Sequence, residues 1–410
     1  MTLFFFAVVF DFFLFAIPLI SGLIGWITNG LAIKMLFSPI KRLGWKYFGW
    51  QGVLPANAKR MATTCVQLMT TQLLDVKALF ERLDSDRIAS LLQPGLERHA
   101  ERLIEEALAH KFPKVWRLLP EKAKKAARSR LRKEIPSIVQ KLMNELGSDL
   151  EEYLDIEKLV VEAFVNNRIL LNELFWKCGR SEFRFIIFSG LIFGGLFGVV
   201  QMIVWMFVQP SWFLPVTGLF VGWATNWIAL KMVFEPLEPK KIGPFVWQGL
   251  FLRRQPEVSE EYGEFFAKKI LHPQALIRAV LQGAAALRVL QLLKQYIDEA
   301  VDSASGSAQP FIELVVGSKE WNDLKGFVSV RLVAAIPQEL DKIYEYAGEA
   351  LDIENELSRN LKALSSPDFE QVLRPLFKED ESTLIAVGAV LGGIAGLLQW
   401  LFMSYISGGV

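Results

Sequence analysis

Few residues in this sequence could carry chemistry. The histidines, His99, His110 and His272, are the only three, and none forms an H-x-x-x-H spacing or stands beside a cysteine. Cys65 and Cys178 are the only cysteines, too few for a disulfide framework. Catalysis needs a coherent acid, base, nucleophile or metal set. No such set is evident, nor is a phosphate-cradling glycine loop after a strand. The expectation is therefore no enzyme, no metal and no cofactor.

What remains are polar groups set in apolar sequence. Trp26, Thr28, Asn29 and Lys34 occupy one such stretch, and Trp223, Thr225, Asn226 and Lys231 occupy another. Gln201 and Gln399 close two further stretches. An Asn in hydrocarbon is costly unless satisfied, so it faces a helix bundle or water rather than lipid. Two chemistries fit: hydrogen-bonded glue between helices, or a polar path for a small solute. Glue is the simpler account. Lys34 and Lys231 stand one to two turns further on, where long side chains can reach the headgroups.

The elements that position these groups follow from composition. The chain is 52% hydrophobic against 22% charged, and the apolar residues concentrate near 15–37, 185–208, 212–234 and 383–406. Each run approaches the roughly 20 apolar residues that a helix needs to cross hydrocarbon. The first run lacks a basic start and is too long for a secretory leader. Residues 1–14, rich in Phe, read as an apolar N-terminal extension, either continuing the first span or lying as a separate helix in the interface, with a break expected at Pro18. A net charge of +1 gives no bias toward nucleic acid.

Internal repetition organises the rest. Residues 25–39 read G-W-I-T-N-G-L-A-I-K-M-L-F-S-P and residues 222–236 read G-W-A-T-N-W-I-A-L-K-M-V-F-E-P, an offset of 222 − 25 = 197. Trp50-Gln51-Gly52 meets Trp247-Gln248-Gly249 at the same offset. The stripe Gly190, Gly194, Gly198, Gln201 is answered by Gly388, Gly392, Gly396, Gln399 at 388 − 190 = 198. Repeat one is thus 15–208, with spans 15–37 and 185–208 around a helical soluble part, 38–184. Repeat two is 212–408, with spans 212–234 and 383–406 around 235–382. The fold class expected is an all-α integral membrane protein of two tandem repeats, with four transmembrane helices and a large amphipathic helical part.

A unit of two spans returns to its starting side, so both soluble parts share one face of the membrane. Lys41, Arg42, Lys46, Lys59 and Arg60 follow the first span, and Lys240, Lys241, Arg253 and Arg254 follow the third. That excess places both soluble parts in the cytoplasm. Their apolar residues recur at three- and four-residue steps, helix throughout. No alternating strand is evident, prolines punctuate the helices, and Asp155 and Asp352 read as N-caps. Lys111–Lys133 is strongly basic with an apolar side. It is either a solvated face or a helix that favours anionic headgroups.

The motif G-W-x-T-N-x-x-A-x-K-M-x-F-x-P, with Gly52-Val53-Leu54-Pro55 and G-x-x-x-G-G-x-x-G-x-x-Q, resembles the bacterial membrane proteins grouped as domain of unknown function 445. The resemblance implies a bacterial inner-membrane location and no established activity. Trp26 and Trp223 stand where Gly is expected in that family, and Leu250-Phe251-Leu252 lacks the counterpart of Pro55. Two functions fit the residues. One is a membrane-anchored helical scaffold or lipid-handling protein, whose partners are the bilayer, anionic lipids, a second copy or another protein. The other is a small-solute or ion transporter or channel that uses the paired Asn and Gln.

Overall fold

The computed structural model describes residues 2–45, 48–111, 121–207, 210, 212–306, 313–314, 317–373 and 375–407. The described residues are almost wholly helical and divide into two compact units. One unit comprises Met1–Leu73, Val160–Phe265 and Glu354–Val410; the other comprises Leu74–Leu159 and Phe266–Ile353. The chain thus leaves the first unit twice, once in each half, to build the second.

The first unit holds four long apolar helices, Thr2–Phe37, Arg168–Trp205, Phe213–Phe234 and Pro375–Ser407. Segments long and apolar enough to cross a membrane are Ala16–Phe37, Arg168–Trp205, Phe213–Phe234 and Glu381–Leu401. The first helix packs along the second and the third along the fourth. Glycine permits it: a Cβ on Gly25 would overlap the carbonyl oxygen of Gly190, and one on Gly222 that of Gly388. Backbones therefore touch directly, the arrangement small residues allow between membrane helices.

The break expected at Pro18 does not occur, since the first helix runs through it from Thr2 to Phe37. Proline removes one N–H, a loss that neighbouring helices and local adjustment can absorb at membrane depth. Here the Cα of Pro18 lies against Gly198, where a Cβ would come within 2.7 Å of it. Pro94 and Pro136 likewise sit inside helices, Ser85–Lys111 and Glu121–Ser148, rather than at their ends.

Two short hairpins were not anticipated. Leu43–Trp45 pairs with Phe48–Trp50, and Lys240–Ile242 with Phe245–Trp247, each antiparallel. Each follows an apolar helix and a cis peptide bond, Ser38–Pro39 or Glu235–Pro236. The Trp-Gln-Gly that ends each hairpin ties it back. Gln51 Nε2 donates to the Ile40 carbonyl at 2.7 Å and Gln248 Nε2 to that of Leu237 at 3.1 Å. The Gly52 and Gly249 amides donate to the carbonyls of Pro39 and Pro236 at 2.9 and 3.0 Å. A Cβ on Gly52 would come within 2.7 Å of the Ser38 nitrogen, which accounts for the glycine.

The second unit is built from Ser85–Lys111, Glu121–Ser148, Ala286–Ser305, Ser318–Ala335 and shorter helices between them. Leu146, Tyr153, Val289 and Leu293 pack at its core. Pro273–Gln282 and Ala286–Ser303 would be apolar enough to count as one span, but they meet at 83°. Asp155 caps its helix by accepting from the Lys158 amide at 2.8 Å. Asp352 stands in the left-handed region at φ 44°, between Asp341–Leu351 and Ile353–Ala363. Residues 112–120 of the basic segment lie outside the described residues; Lys111 ends the helix from Ser85, and the helix from Glu121 carries residues 121–133.

Candidate functional site

The polar groups singled out in the sequence lie on the apolar helices of the first unit, and several meet there. Asn29 and Asn226 are both buried. Asn29 Nδ2 donates to the Ile186 carbonyl and Asn226 Nδ2 to that of Leu384, each at 2.8 Å. Each amide thus spans from one helix of a pair to the other. Their Oδ1 atoms are buried and accept no hydrogen bond among the described residues. Thr28 and Thr225 point back into their own helices, donating to the carbonyls of Gly25 and Gly222 at 3.2 and 3.4 Å.

Gln201 joins the pairs. Ser21 Oγ donates to Gln201 Oε1 at 3.1 Å, and Gln201 Nε2 donates to Thr217 Oγ1 at 3.0 Å, so one side chain links the first, second and third helices. Ser21, Thr28, Gln201, Gly222, Gly392 and Gln399 line a cavity of about 20 Å³. A water needs roughly 10–15 Å³ and two or more polar partners, so one water fits. Gln399 Nε2, buried and without a hydrogen bond among the described residues, is a ready donor to it. Neither Asn lines this space. Such a seam can hold helices together and seat one water.

Trp26, Trp223, Lys34 and Lys231 are exposed on the outside of the bundle. Lys231 Nζ lies 3.5 Å from Glu235 and 4.8 Å above the ring of Trp227.

One charged site escaped the sequence. Glu182, only 4% exposed, accepts two 2.9 Å hydrogen bonds from Arg254 Nη1. Lys177 and Glu264 pair beside it at 2.5 Å. Burial pushes the Glu261 carboxyl above its usual range against the pull of Arg254 and Lys177. The available signal was spacing: Gly179, Glu182, Ile186 and Ser189 follow three- and four-residue steps on one buried face.

The second unit holds a cavity of about 210 Å³ in which every lining side chain is apolar. Leu92, Leu96, Val139, Leu293, Leu340 and Ala347 are among them, drawn from both halves of the chain. No composite of His, Cys, Asp and Glu able to hold a metal occurs among the described residues.

Residues 19–141 match the family described as protein of unknown function (DUF445). Relatives described as UPF0754 membrane proteins align along nearly the whole chain. One from Bacillus licheniformis is 25% identical over 96% of this chain and 99% of its own length. The chain is similar to the DUF445 family over residues 19–141. A second UPF0754 relative, from a Synechococcus species, is 20% identical over 95% of this chain and 98% of its own. One from Shouchella clausii is 28% identical over 43% of this chain and 52% of its own. No solved structure matches. With its four helices long and apolar enough to cross a membrane and its similarity to these membrane proteins, the chain is a helical membrane protein, the class its motifs suggested.

Proposed function

We propose that this protein handles lipid at the bacterial inner membrane, its four apolar helices serving as anchor and its second unit taking up an acyl chain. The carrying observation is the wholly apolar cavity of about 210 Å³. Water gains nothing in such a space; an apolar cavity of roughly 150 Å³ is known to stay dry and to accept small hydrocarbons. Each methylene brought in from water contributes about 0.8 kcal/mol. The role is binding rather than catalysis.

Two further inferences accompany it. The basic residues after Phe37 and after Phe234 support a cytoplasmic face for the soluble parts. Tandem duplication is supported by matched bonds in the two halves: Asn29 to Ile186 and Asn226 to Leu384, Gln51 to Ile40 and Gln248 to Leu237. The transporter alternative is weaker, because each Asn amide is committed to a neighbouring carbonyl in a packed seam.

Native mass spectrometry of gently extracted protein tests the reading. Wild type should carry acyl-chain adducts, and filling the cavity with Ala347→Leu or Val139→Phe should remove adducts held there without lowering thermal stability. Wild type free of lipid, or filled variants that retain the same adducts, would overturn it.

A further inference from the structure

Phe220, Trp223, Trp227 and Lys231 succeed one another at three- and four-residue steps on the third membrane helix, Phe213–Phe234, and so share one face. That face looks outward: Phe220, Trp223 and Trp227 are 52%, 41% and 40% exposed. The rings form a ladder. Phe220 and Trp223 lie 5.9 Å apart, Trp223 and Trp227 stack at 5.8 Å and 8°, and Lys231 Nζ sits 4.8 Å over Trp227.

The ladder leads into a groove of about 800 Å³ lined by Trp227, Lys231, Glu235, Glu238, Lys240 and Trp247, among others. Lys240 and Trp247 face each other across the hairpin that follows the helix. The groove carries two positive and two negative side chains at the end of a membrane helix. Its complement is a ligand with one charge of each sign and an apolar tail, since complementarity of charge selects partners more than it adds affinity. A purely anionic headgroup would meet Glu235 and Glu238 unfavourably.

We propose that this groove binds one zwitterionic glycerophospholipid, its phosphate against Lys231 and Lys240, its ammonium against Glu235 and Glu238, and an acyl chain along Trp227, Trp223 and Phe220. The first half supplies a comparison within the same molecule. At the 197-residue offset Trp227 becomes Gly30, Glu235 becomes Ser38, Glu238 becomes Lys41 and Lys240 becomes Leu43, while Lys34 and Trp50 remain. The first half thus keeps a cation but has neither the acidic pair nor the stacked indole.

The inference deepens the lipid reading but rests on different residues from the cavity. It is tested on the full-length protein in detergent, titrated with phosphatidylethanolamine, phosphatidylglycerol or inorganic phosphate and read by native mass spectrometry. One phosphatidylethanolamine should be retained in preference to phosphatidylglycerol. Trp227→Leu and Lys231→Gln should each lower its retention about tenfold, the loss of roughly one charge-assisted or aromatic contact, whereas Lys34→Gln should not. Glu238→Lys, a surface change that copies the first half, should shift preference toward phosphatidylglycerol even if the other variants fold poorly. Ala347→Leu should leave this lipid in place, so failure of the cavity and failure of the groove are read separately. Equal retention of both lipids, equal effects of Lys34→Gln and Lys231→Gln, or competition by inorganic phosphate alone would overturn the proposal.

Discussion

Cys65 Sγ lies 3.2 Å from Tyr262 Oη, and the two residues stand 197 positions apart, the same interval that separates the repeated sequence motifs. Two residues at that interval thus touch inside the first unit.

Burial pushes the Cys65 thiol up to about 12, offset in part by the Tyr262 hydrogen bond, and raises Tyr262 itself well above its ordinary value. Both groups are neutral when protonated, and folding favours that form. Their contribution to stability is therefore complete below the unfolded thiol value of 9.0 and declines as pH rises toward about 12. Wild type should melt at progressively lower temperature between pH 9 and 12, and Cys65→Val combined with Tyr262→Phe should flatten that slope. The native Cys65 thiol should also resist a thiol reagent at pH 8 and react on unfolding. A native thiol that reacts rapidly at pH 8 contradicts the burial.

The glycines in the helix pairs are not equivalent. A Cβ on Gly25 would overlap Gly190, whereas one on Gly30 would meet only Ile187 Cγ2, at 4.0 Å. Gly25→Ala should cost about 1–3 kcal/mol, the usual range for overpacking, while Gly30→Ala should be neutral or slightly stabilising through helix propensity. Thermal unfolding in detergent separates the two, and equal melting temperatures would contradict the backbone contact.

Glu182 and Arg254 form a partly buried pair, with side chains 5% and 22% exposed. Removing Arg254 strands the buried Glu182, a loss of about 3–5 kcal/mol, whereas removing Glu182 leaves Arg254 its bond to Glu257 at 2.8 Å. Arg254→Leu should destabilise strongly and Glu182→Leu less, and the double variant should recover part of the Arg254→Leu loss. Strictly additive effects would show that the two side chains act independently. At position 57, which corresponds to Arg254 by the 197-residue offset, the first half has Asn, whose Nδ2 donates to the Val53 carbonyl at 3.1 Å; the ion pair itself runs from Glu182 in the first half to Arg254 in the second.

The four apolar helices, the two matched motifs and the buried Asn residues were legible because each depends on composition or on spacing along one helix. The hairpins were not: three residues per strand, with Gly44 and Gly49 opposite one another, are too few to show alternation. Pro18 misled because a local rule for proline in water ignores what a neighbouring glycine helix can accommodate. Glu182 was invisible as a site because its partner is 72 residues away, and pairing at that distance is a property of the fold. The division into two units likewise depends on contacts between halves, which periodicity does not encode.

Where backbones touch at Gly25 and Gly190, and again at Gly222 and Gly388, the side chains of Asn29 and Asn226 beside the contact are tied across to the neighbouring helix. Each pair is in effect a single rigid strut, unable to ratchet by a turn without lifting apart. A rocking of one strut against the other would have to break and remake the Gln201–Thr217 hydrogen bond, whereas the Ser21–Gln201 bond lies within one strut and would ride along.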